Sequence, residues 1–124
     1  MKEIEDIFEL LDGVLVPDAK KTVMFCEVEQ TAYEVFYDSY FEDDSCKQCY
    51  ELEAEGKIDG KVLETGFEKI AAFLSDCRSY DSKMRNVITI VVEGTSEKAA
   101  EEKYDKSVGL YKIKKEWKAK NLGI

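Results

Sequence analysis

Histidine is absent from this 124-residue chain. Its absence removes the commonest general base, nucleophile activator and zinc ligand together, and it makes Ser-His-Asp and Cys-His catalytic arrangements impossible. No apolar run approaches the ~20 residues of a membrane span. The acidic opening Met1-Lys2-Glu3-Ile4-Glu5-Asp6 is unlike a signal peptide and reads as the start of a helix. Four cysteines (Cys26, Cys46, Cys49, Cys77) are few for a disulfide framework, and reduced thiols in a cytoplasm fit better. Glycines are scattered: Gly56, Gly60 and Gly66 fit neither the dinucleotide-binding pattern nor the P-loop, so no phosphate cradle is expected. Lipidation signals, internal repeats and low-complexity linkers are missing as well.

What is present is a globular composition, 44% hydrophobic, with seven Tyr, six Phe and one Trp. A chain of this length buries roughly two-thirds of its unfolded surface, enough for one core without staples. A single domain over residues 1–124 follows. The net charge is −9, unevenly spread: residues 112–124 hold five Lys against one Glu, which leaves −13 on the first 111. A field of that sign repels phosphates and so disfavours direct nucleic-acid binding. It attracts basic partners, and proteins that cleave nucleic acids are commonly basic. The plainer reading, that surface acids keep the chain soluble, stands beside it.

Ile4, Ile7, Phe8 and Leu11 predict an amphipathic helix over 2–12 that stops at Gly13. Thr22–Glu29 and Thr31–Phe41 predict two strands, the second with Tyr33, Val35, Tyr37 and Phe41 on one face. After the polar turn at Glu42–Ser45, Cys46–Glu53 predicts a third strand with Gln48, Tyr50 and Leu52 on one face. Short connections favour a meander for these strands. Val62, Leu63, Phe67, Ile70, Ala71 and Leu74 make 61–76 the clearest helix, interrupted only by Gly66. A loop is expected at 78–83. The β-branched run Val87–Val92 is apolar on both faces, the mark of a strand covered on each side. Residues 97–106 offer two readings, a helix or the return strand of a hairpin turning at Gly94–Ser96. The segment 107–120 is helical, with Leu110, Ile113 and Trp117 on one face. The expected fold is α+β: an antiparallel sheet of four to five strands with helices packed on it.

Few patterns carry chemistry. Cys46-Lys47-Gln48-Cys49 has metal or redox spacing, but Cys26 and Cys77 supply no second close pair for a zinc site. A redox pair would open a helix, whereas this one falls on the expected strand with its thiols on opposite faces. Glu64 with Glu68, and Glu97 with Glu101, read as solvated helix faces rather than metal ligands. The expectation is therefore a binding protein with no catalytic residues, no metal and no cofactor; the alternatives are a small carboxylate- or cysteine-metal protein (enzyme or regulator) and an oligomeric adaptor. The candidate recognition face combines Tyr37, Tyr40 and Tyr50 with Asp43, Asp44, Glu51 and Glu53. Tyrosine offers rigid area, and the carboxylates suit Arg or Lys on a partner.

The runs Val23-Met24-Phe25-Cys26-Glu27-Val28, Tyr33-Glu34-Val35-Phe36-Tyr37 and Cys46-Lys47-Gln48-Cys49-Tyr50-Glu51-Leu52 carry a family pattern. With the helix Phe67–Leu74 and the tail Trp117–Ile124 in order behind them, the chain resembles the YezG-like antitoxin and immunity proteins of bacteria. The resemblance implies a cytoplasmic protein that neutralises a cognate toxin, commonly a basic nuclease domain, by one-to-one binding. It also favours a strand over 98–105 and supplies no catalytic residues.

Overall fold

Ile7 and Leu11, four residues apart, turn one side of the first helix inward. The computed structural model, which describes residues 4–77 and 83–124, places that helix, α1, at Ile4–Leu11. It ends where Gly13 takes a φ of 81°. The strands β1 (Lys21–Val28) and β2 (Tyr33–Tyr40) pair antiparallel, Phe25 opposite Phe36. The third strand is a correction: β3 spans only Cys46–Gln48, and the chain then enters a helix, α2 (Cys49–Ala54). Cys49 and Leu52, three apart, are buried on its inner side. The Gln48 amide donates to the Glu51 carboxylate at 3.2 Å, which holds the first turn. Tyr50 therefore does not share a face with Leu52.

The clearest predicted helix is α3, Gly60–Asp76, which starts where the Asp59 side chain accepts from the Lys61 amide. Gly66, which costs a helix roughly 1 kcal/mol relative to Ala, has a packing reason. A Cβ there would overlap the Val14 side chain, so the chain after α1 crosses α3 at that point. The apolar run forms β4 (Met84–Glu93). A two-residue turn at Gly94 and Thr95, with Gly94 at φ 60°, returns the chain as β5 (Ser96–Asp105). The open choice at 97–106 is thus a strand. The last helix, α4, spans Leu110–Leu122. The loop expected at 78–83 lies outside the described residues except for Lys83.

Among the described residues the five strands form one antiparallel sheet in the order β3-β2-β1-β4-β5. The first three strands meander as expected, and β4 crosses over to pair with the free side of β1. Helices cover both faces. On one face Trp117 of α4 stands edge-on to the stacked pair Phe25 and Phe36 (centroids 5.2 and 5.5 Å away), and its indole N–H donates to Thr89 at 2.8 Å. On the other, Phe67 of α3 meets the Tyr37 ring edge-on at 6.1 Å, and α1 packs beside α3.

Candidate functional site

Recasting 49–53 as a helix changes which residues meet. On a strand Tyr50 and Glu53 point to opposite faces, whereas on α2 they are three apart and share one side. A cleft of about 340 Å³ opens between α2, α3 and the start of β2. Tyr33, Tyr50, Leu63 and Phe67 form its walls, and Glu53 and Glu64 supply its charge; Glu34 also lines it but is paired with Lys114 at 2.8 Å, and no Lys or Arg lines it. Tyr33 and Tyr50 remain 43% and 50% exposed, so both rings are available to a ligand. The Tyr50 hydroxyl points to the Val35 carbonyl at 3.4 Å, a long contact that orients the ring across β2. Gly60 lies at the base of the cleft, where the Glu53 carboxylate rests on the first turn of α3; a Cβ there would make that carboxylate swing aside.

The electrostatics of the cleft agree with its composition. Burial, then the nearby charges of Glu68 and Glu64, pushes the Tyr33 phenol above its ordinary value. Burial does the same to Tyr50, with Cys49, Glu34 and Glu53 adding to it. Both phenols stay protonated and keep a donor, inside a negative field. The basic tail lies elsewhere. Lys114 pairs with Glu34 at 2.8 Å, Lys120 pairs with Glu102 at 2.8 Å, and Lys114 and Lys118 both sit 5.4 Å over the Phe36 ring. α4 thus spends its positive charge on the opposite face of the sheet, and the cleft between α2 and α3 keeps most of its own.

The seven residues expected to form a recognition face separate into four groups. Tyr50 and Glu53 lie in the cleft. Tyr37 is a correction: it is fully buried, its hydroxyl donating to the Val14 carbonyl at 2.7 Å, so it is part of the core. Asp43 and Asp44 occupy the β2–β3 turn with Tyr40 beside them, roughly 23 Å from Tyr33 at 3.3 Å per strand residue. There Asp43 accepts from the Ser45 amide and hydroxyl at 3.0 and 2.6 Å, and these bonds hold its carboxyl below the usual range. Asp44, at φ 65°, bridges Lys20 at 2.8 Å. Tyr40 is half-buried with the Lys21 ammonium 5.9 Å from its ring. Glu51 caps α2 and serves the local fold.

Tyr33, Glu34 and Glu64 were not among the expected site residues. Two signals were available for them: Glu64 and Glu68 share a helical face, and Tyr33 shares a strand face with Val35. Only the α2 turn brings Tyr50 over to meet them.

The Cys46/Cys49 spacing spans a strand-to-helix junction, which corrects the expectation that both thiols sit on a strand. Cys49 does open a helix, where the dipole favours a thiolate. Burial prevails, and the Cys49 thiol is pushed up to about 11, so it stays protonated at neutral pH. Burial also raises Cys46. Among the described residues no group of three or more Cys, Asp and Glu side chains is arranged to hold a metal ion. Among them, too, no helix is long and apolar enough to cross a membrane.

A second cluster of charge is structural. Glu27, on β1, is 2% exposed, with the Arg85 guanidinium 3.6 Å away, beyond hydrogen-bond length, and one of its carboxylate oxygens has no hydrogen-bond partner. Burial, helped by the neighbouring Glu29, pushes its carboxyl up, and Arg85 only partly opposes this. Comparison with known proteins adds no relative: no protein-family model and no curated protein matches the chain.

Proposed function

We propose that this protein is a cytoplasmic, YezG-like antitoxin or immunity protein that binds and neutralises a cognate bacterial toxin through the cleft between α2 and α3. One observation carries the reading: two exposed tyrosines wall a cleft lined by Glu53 and Glu64 and by no Lys or Arg, while Glu34 at its margin is paired with Lys114. Such a cleft suits an Arg or Lys side chain, whose cation stacks on the phenol faces while the carboxylates accept its hydrogen bonds. A basic loop or helix of a nuclease domain offers that chemistry, because the same residues hold its nucleic-acid substrate. The net charge of −9 supports fast, salt-sensitive association with a basic partner.

The test is capture of the partner from the protein's own cells, with wild type and the charge-reversed pair Glu53→Lys/Glu64→Lys in parallel. The reading expects one basic protein, identified by mass spectrometry, on wild type at low salt and absent from the variant. Equal recovery on both baits would show that the cleft is not the binding site.

A further inference from the structure

A second concave surface lies on the other side of the first turn of α3. Leu63 and Glu64 line the cleft with α2, whereas Asp59 and Val62 line a groove of about 940 Å³ between α3 and α1, nearly three times the size of that cleft. Its α1 bank follows from helix geometry. At about 100° per residue, Leu11, Phe8, Asp12 and Glu9 come in that order around α1, from the core out to solvent, and all four line the groove. On the opposite bank Val62 is one turn before Gly66, where Val14 crosses, so its side chain turns toward the same groove. Leu15, Ile58 and Val92 lie between the banks, each half-buried. Phe8 and Val62 are each 44% exposed, so the groove is apolar from lip to floor.

Charge and backbone select the occupant. Glu9 and Asp12, three apart on α1, form an acidic lip, and among the described residues no cation pairs with either. Lys20 is bridged to Asp44 at 2.8 Å, and Lys57 stands with Asp59 at the start of α3. The α1 lip therefore favours a cation and disfavours an acid. The floor offers no open strand edge: Thr22 pairs with Ser39 on one side and Val92 on the other, and Val92 pairs onward with Glu97. Pro17, also in the lining, has no amide to donate. An extended segment would bring backbone groups that find no ladder here, whereas a helix satisfies its own.

We infer that this groove receives an amphipathic helix of another protein, its apolar side entering between Phe8 and Val62 and its Lys or Arg residues lying along the Glu9/Asp12 lip. The anchors are aliphatic or aromatic residues one turn apart, the pattern by which helices are read in grooves. Burial of those anchors supplies the attraction, and the acidic lip fixes which way round the helix sits. The inference requires neither a toxin as the source of the helix nor the cleft by α2.

The experiment is fluorescence titration of the full chain with two labelled synthetic peptides at physiological salt. Each is about 16 residues long, enough to hold its own helix, with Leu along one side; one carries Lys on its flanks and the other Glu. Wild type is expected to bind the Lys peptide one to one at micromolar concentrations, roughly tenfold or more tighter than the Glu peptide. Val62→Asp sets a carboxylate in the apolar bank and is expected to weaken binding roughly tenfold. An acid in the first turn of α3 suits that helix, so the variant is expected to fold, which thermal melting checks. Glu9→Lys/Asp12→Lys is expected to reverse the preference to the Glu peptide. That reversal separates the groove from general attraction, because each change adds two charges and the variant, at −5, is still acidic. Glu53→Lys/Glu64→Lys is expected to keep the wild-type preference. Loss of binding in that variant alone would place the peptide in the cleft by α2, which overturns this inference and not the proposed function. Failure to bind either peptide, equal binding of both, or a preference that Glu9→Lys/Asp12→Lys does not change overturns it too. So does a wild-type chain that sediments as a dimer and is split by Val62→Asp, because a second copy then fills the groove.

Discussion

The Tyr37 hydroxyl donates to the Val14 carbonyl in a site closed by Phe67, so Tyr37→Phe leaves a buried acceptor unpaired. The expected loss is about 1–2 kcal/mol of stability, read by denaturant titration, with partner binding unchanged. A loss of binding at full stability would return Tyr37 to the recognition face. Glu27 gives the pH dependence. Its carboxyl is raised in the fold above the 4.5 of a free glutamate, chiefly by burial. The folded state thus binds its proton more tightly than the unfolded one. The stability this contributes is fully present below 4.5 and is lost as pH rises through the raised value. Asp38, raised by its own burial, shifts stability in the same direction. Glu27→Gln isolates one of the two: relative to wild type, the variant gains stability as pH rises through the range just above 4.5. Thermal melts over an acid-to-neutral series check this, and a flat or inverted difference contradicts it.

Packing at the α3 crossing makes an element-scale prediction with a change of sign. Gly66→Ala gains up to about 1 kcal/mol of helix propensity, but the new methyl meets Val14. Overpacking of that kind costs about 1–3 kcal/mol, so the substitution is expected to destabilise. In a Val14→Ala background the overlap is gone, and Gly66→Ala is expected to stabilise. Chemical denaturation of the four proteins in that cycle gives the answer, and a destabilisation that persists without the Val14 methyls contradicts the crossing.

Elements with a full buried stripe were legible in the sequence. α3 carries apolar residues at helical spacing over four turns, Ile113 and Trp117 mark α4, and the run 87–92 can only be an interior strand. β5 was ambiguous for a physical reason: an edge strand buries little, so Glu97, Ala99, Glu102 and Tyr104 are only half-covered and leave no apolar period. The turn glycine, Gly94, was its best signal. α2 was missed because six residues are too few to separate the two periods. Gln48, Tyr50 and Leu52 alternate like a strand, while Cys49 and Leu52 are three apart like a helix. The Glu three residues after Gln48 was the deciding mark. That one error concealed most of the candidate site, since Tyr50 and Glu53 come together with Tyr33 and Glu64 only when 49–54 is helical.

At the scale of the whole molecule the charge is sorted by the fold. The basic tail closes over the Phe25/Phe36 face, where Lys114 and Lys120 meet Glu34 and Glu102, and Glu53 and Glu64 stay on the side of α3. On the function proposed above, the overall charge attracts a basic partner and the cleft by α2 is where it docks. The most direct test of that claim is titration of the captured toxin's own activity with this protein and with Glu53→Lys/Glu64→Lys. Wild type is predicted to abolish the activity at one equivalent, and the variant to require roughly a hundredfold more, as two lost charge pairs of about 1.5 kcal/mol each would give. Inhibition by the variant at the same single equivalent would contradict the account.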